Sequence, residues 1–75
     1  MFIQLETESI RLDQGLKWAN IVVSGGEAKH LIKNGLVQVN GEVEIQRGRK
    51  IKAGDKIEIE GLDDVIEFIQ NGNGE

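Results

Sequence analysis

Arg47, Arg49 and Lys50 are gathered in one short segment, with Gly48 between the two arginines. This combination suits the capture of a phosphate chain. Each arginine offers a planar fork of donors to phosphate oxygens, which lysine cannot imitate. The glycine lets the backbone follow the ligand. The bland alternative for the same residues is a solvated hairpin loop. Lys29 and Lys33 form a second cationic pair at i, i+4, and Arg11 stands alone further upstream. A cation in the first turn of a helix opposes the helix dipole, so the position of Arg11 hints at use, although Asp13 nearby offers an ordinary salt bridge. Lys17 is expected to pair with Asp13 at i, i+4.

The distribution of charge points the same way. The chain has nine basic and thirteen acidic residues, a formal net charge of −4. All nine bases fall between Arg11 and Lys56. Within residues 10–56 they face only Asp13, Glu27, Glu42, Glu44 and Asp55, leaving that module at +4 and the flanks at −8. Phosphate responds to the local potential within about 8–10 Å, so a basic face can act inside an acidic protein.

Other chemistries find little support. There is no Cys, and His30 is the only His, so neither a disulfide nor a thiolate or imidazole metal site is expected. His30 is read as a surface residue without a partner that would make it a base. No paired carboxylates, no nucleophile–His–carboxylate set and no Gly-Lys phosphate loop of the Walker type occur. Enzymatic activity, cofactors and metals are therefore not expected. Gly25-Gly26 could present N–H groups to a phosphate, but Ser24 and Glu27 compete for them. Trp18 could stack on a base. A lone Trp more often covers the edge of a small core, and that is the expectation here. No apolar run approaches a membrane span and Met1–Leu5 does not resemble a signal peptide, so a cytoplasmic protein is expected.

These residues must be positioned by few elements. Phe2–Glu6 reads as an edge strand. Ser9 is the expected N-cap of a first helix, with Leu12, Leu16 and Ala19 as its buried stripe, Arg11, Gly15 and Trp18 on a flank, and Asn20 as its end. Ser24 and Glu27 have capping-box spacing before a second helix, whose stripe is Ala28, Leu31 and Ile32. Asn34-Gly35 stops it. Leu36–Asn40 and Glu42–Ile45 read as a hairpin turned by Asn40-Gly41. A basic loop or irregular strand, Gln46–Lys50, and the turn Ala53-Gly54-Asp55 lead to a strand at Lys56–Glu60. Leu62–Gln70 fits a final strand better than a short helix, and Asn71–Glu75 reads as a frayed tail.

The order of these signals is more specific than any one of them. Arg11-Leu12-Asp13 with Leu16, Ser24 with Ala28 and Leu31-Ile32, Gly35 with Val37, Val39-Asn40-Gly41, and Gly54-Asp55 with Ile57 resemble the RNA-binding domain of ribosomal small-subunit protein S-four, the alpha-L motif. The resemblance covers about Ile10 to Ile59. Leu16-Lys17-Trp18-Ala19, Ser24-Gly25-Gly26-Glu27-Ala28-Lys29 and Arg47-Gly48-Arg49-Lys50 are similar to the small, stand-alone bacterial members. It implies an α+β fold, two helices packed on a small bent antiparallel sheet. It also implies binding of structured RNA through the helix pair and the adjoining basic loop. Many members carry Arg after the helix-capping Ser. Gly25 stands there instead, so Arg47, Arg49 and Lys50 would have to compensate.

The resulting expectation is one domain over residues 1–75, with the core motif at 10–59, an edge strand at 2–6 and an extension at 62–75. It would bind ribosomal RNA or a ribosome-assembly intermediate as a monomer, through Arg11, Lys29, Lys33, Arg47, Arg49 and Lys50. The alternative is an adaptor whose acidic flanks dock a basic ribosomal protein.

Overall fold

Two kinds of local chemistry, helix caps and hairpin turns, set the frame of the computed structural model, which describes residues 1–70. The tail expected at 71–75 lies outside the described residues. In chain order the elements are β1 (Phe2–Leu5), β2 (Ile10–Arg11), α1 (Leu12–Trp18), α2 (Gly25–Lys33), β3 (Val37–Val39), β4 (Glu42–Val43), β5 (Lys50–Ile51), β6 (Lys56–Ile59) and β7 (Val65–Gln70). The final segment is a strand, as its pattern favoured.

Both helices close with the same two-bond cap. Asn20 at φ 60° donates to the Lys17 carbonyl, and Ile21 donates to Leu16. Gly35 at φ 74° donates to Ile32, and Leu36 donates to Leu31. The left-handed residue reverses the chain while its neighbours satisfy orphan carbonyls. At the start of α2 the Ser24 hydroxyl accepts from the Glu27 N–H at 3.2 Å. The Glu27 carboxylate accepts from Val23 at 3.0 Å, so the box closes one residue early.

The start of α1 departs from expectation. Ser9 is not the N-cap. Arg11 occupies that position in an extended conformation, without a side-chain cap. Ile10 and Arg11 instead pair antiparallel with Ile51 and Lys50. The orphan N–H groups of the helix find backbone partners: Leu12 donates to the Arg49 carbonyl at 2.8 Å and Asp13 to Arg47 at 3.2 Å. Carbonyls of the basic segment do the work assigned to a serine hydroxyl.

The five-stranded sheet has the order β1-β7-β6-β3-β4, with β2-β5 as a separate pair. It is antiparallel from β7 to β4, and mixed overall because β1 joins β7 in parallel. Hairpin signals constrain only strands that follow one another, and β1 and β7 are separated by nearly the whole chain. Asn40 and Gly41, both at positive φ, form the two-residue turn between β3 and β4. The Asn40 amide donates to Asp55 and accepts from the Lys56 N–H, tying that hairpin to the turn before β6.

Alternation sorts the faces. Val37, Val39, Ile57, Ile59, Ile66 and Phe68 are buried, while Gln38, Lys56 and Glu58 point outward. Leu12, Leu16 and Ala19 of the α1 segment and Ala28 and Ile32 of α2 complete the core, with Leu31 partly buried beside it. Gly15 does not sit on an outer flank. It is buried against Phe68, where an added Cβ would lie 3.0 Å from the end of the ring.

Candidate nucleic-acid interface

The β2–β5 register places Arg11 directly opposite Lys50. Opposed residues of an antiparallel pair project from the same face, and like charges there are destabilising. The turn carrying Arg47 and Arg49 is fastened by its carbonyls to the first turn of α1. Four of the six predicted site residues therefore come together around one short strand pair. The register gathers four basic residues at one place in the fold.

Two of the four are held by acids. Asp13, 4% exposed, accepts from Arg11 Nε at 3.1 Å and Nη2 at 3.0 Å, and from the Gln14 N–H at 2.8 Å. The fork orients Arg11, raises its pKa through the hydrogen bond to Asp13, and leaves its outer Nη1 group unengaged among the described residues. Arg49 Nη1 donates to Glu44 at 2.8 Å. Arg47 and Lys50 are exposed and have no ion-pair partner among the described residues.

Lys29 and Lys33 project from the outer side of α2 around a shallow depression shared with Gly26, His30 and Asn34. No residue of the 47–50 segment lines it. The structure thus forms two cationic groups, one on the strand pair and one on α2. His30 is on the surface, as expected.

The S4 domain family profile matches residues 3–72, nearly the whole chain. The chain belongs to the S4 domain family. The probable ribosome maturation protein RlbA of Bacillus subtilis (strain 168) is 48% identical over 60 residues, covering 80% of this chain and 84% of the relative. The crystal structure of 30S ribosomal protein S4e from Thermoplasma acidophilum superposes with a TM-score of 0.56 at 27% identity. That match covers 75% of this chain but only 30% of the ribosomal protein.

Within this S4 domain, two expected placements are corrected. Lys17 does not pair with Asp13, because both carboxylate oxygens are taken by Arg11 and the Gln14 N–H. Trp18 is not core: it is 45% exposed. Two residues beyond Leu16 it stands about 200° around the helix, on the outer side.

Glu44 was missed as part of the site, because its i, i+5 spacing to Arg49 is not a helical one. The Arg49 hydrogen bond, with help from the Gln46 N–H, holds the Glu44 carboxyl below its ordinary value near 4.5. A carboxyl depressed in the folded state adds stability above its unfolded pKa, and loses it as pH falls through the folded value. The thermal midpoint of wild type should therefore exceed that of Glu44→Gln by a constant margin above about pH 5. The margin should shrink below about pH 4.5, as the carboxyl protonates. Melting curves across that range check this; a margin independent of pH would mean that the pair contributes nothing through its charge.

Proposed function

We propose that this S4 domain binds structured RNA, either ribosomal RNA or a ribosome-assembly intermediate, without catalysing a reaction. Arg11, Arg47, Arg49 and Lys50 grip the phosphate backbone at the strand pair, and Lys29 and Lys33 extend the contact along α2. The convergence of Arg11, Arg47, Arg49 and Lys50 at the β2–β5 pair carries this reading. Membership of the family and the likeness to a protein named for ribosome maturation support the RNA target. The protein acts in the cytoplasm as a monomer. Recognition depends on RNA shape more than on sequence, since phosphate contacts orient without reading bases.

A titration at physiological salt tests this, with ribosomal RNA fragments, a DNA duplex and heparin as competitors. Folded RNA should bind most tightly, because its shallow groove and 2′-hydroxyls add contacts that the other polyanions lack. Six engaged cations give a log–log salt slope of about −4 to −5. Equal affinity for all three competitors would reduce the site to a charged surface. One observation favours a protein partner as a second reading: exposed Phe2 and Val65 border a depression lined also by Glu58, Glu67 and Lys56. A nuclease-treated pull-down separates the two, because an RNA binder loses its partners and an adaptor keeps them.

A further inference from the structure

The outer side of α1 carries more than charge. Gln14, Lys17 and Trp18 are all exposed, and their i, i+3, i+4 spacing places them together on one face. With Thr7, Ser9 and Ile10 they line an open cleft of about 430 Å³. The composition of this cleft is mixed in a particular way. Trp18 provides a wide aromatic face, Ile10 an apolar wall and Lys17 a cation. Gln14 and Ser9 provide donors and acceptors. Among the described residues, the side chains of Gln14, Lys17 and Ser9 make no hydrogen bond or ion pair within the protein, so their polar groups face outward unspent. The cleft and the cationic strand pair share β2: Ile10 lines the cleft, and Arg11, next to it in the chain, projects from the opposite face of the strand. α1 spans only about 10 Å, so Trp18 lies within reach of a nucleic-acid strand held at Arg11 and the 47–50 turn.

We infer that this cleft takes one unpaired nucleobase of the bound RNA. The base stacks on Trp18, Lys17 meets its flanking phosphate, and Gln14 and Ser9 hydrogen-bond its edge. The inference rests on the RNA-binding reading and adds a specific demand: the target must present a splayed base beside its helical part. Bases of loops and bulges are available for such stacking, whereas those of a duplex are not.

Trp18 is the only Trp and the chain has no Tyr, so its fluorescence reports the stacking directly. The full chain is titrated with a hairpin RNA bearing an unpaired loop, with a fully paired RNA duplex of equal charge, and with adenosine monophosphate. Quenching is expected with the hairpin alone. Trp18→Ala should weaken hairpin binding roughly 5- to 150-fold, as loss of one stacked base does, and leave duplex binding unchanged. Trp18→Phe, which keeps an aromatic face, should retain most of the affinity. Melting curves should show both variants folded, because the residue is half exposed. If both RNAs bind and neither quenches Trp18 nor responds to Trp18→Ala, the base site falls while RNA binding stands. Quenching by the mononucleotide at the same concentrations as the hairpin would make this a nucleotide pocket and overturn the RNA assignment. If no RNA binds, both readings fall.

Discussion

Arg47→Glu combined with Lys50→Glu should lower the affinity for structured RNA by on the order of 100-fold or more. Charge-assisted hydrogen bonds are worth about 1.5–3 kcal/mol each. Removing two of them therefore costs about 3–6 kcal/mol even before the new carboxylates repel phosphate. The fold should survive, because the bonds from Leu12 and Asp13 to this segment end on backbone carbonyls. Arg49 is not a clean position for reversal. A glutamate there would face Glu44, whose side chain is only 15% exposed, and would disturb the turn itself. The log–log salt slope should fall in magnitude by about 0.7–0.9 for each phosphate no longer neutralised, which ordinary unfolding would not reproduce. Reversal at Lys29 and Lys33 should cost less, because those side chains lie apart from the strand pair. Glu6→Gln with Glu8→Gln should leave binding intact or strengthen it. Titrations at two salt concentrations, with circular dichroism of each variant, give the ranking. The opposite order, acidic flanks essential and the arginine turn dispensable, would favour the adaptor reading.

What was legible in the chain was the chemistry that acts over two to four residues. Ser24 with Glu27, Asn20, Gly35 and Asn40-Gly41 announce caps and a turn, because each satisfies specific backbone groups within its own neighbourhood. The clustering of cations was legible for the same reason. What escaped was pairing at a distance. Ile10 and Arg11 continue the helical pattern of Leu12, and only their pairing with Lys50 and Ile51 makes them a strand. β1 carries no mark of its parallel partner. The Arg11–Asp13 pair was open to reading from proximity alone, but Arg49–Glu44 has a spacing that no helix rule anticipates. Trp18 was misplaced by residue type, although counting around α1 from Leu16 sets it outside. That same count would have put Gln14 and Lys17 beside it.

The largest expected change in stability comes from Phe68→Ala. Phe68 heads the fully buried side chains by volume, and the end of its ring packs into the gap left by Gly15. Truncating a buried Phe costs about 3–5 kcal/mol, combining lost transfer energy with the cavity left behind. A domain of this length has about 4–11 kcal/mol in total, so the variant should stand near the edge of unfolding. Gly15 adds a finer test of the same packing. Glycine inside a helix is about 1 kcal/mol worse than alanine, so Gly15→Ala would ordinarily stabilise α1. Here the new methyl would lie 3.0 Å from the Phe68 ring, closer than carbon atoms at optimal separation, and most of the gain should be lost. In a Phe68→Leu background the end of the ring is gone, so the same Gly15→Ala change should then stabilise by most of its intrinsic value. Denaturant midpoints of the four proteins close a double-mutant cycle, and touching residues should couple by about 0.5 kcal/mol or more. Equal effects of Gly15→Ala in both backgrounds would show that Phe68 is not what keeps a side chain out of that turn.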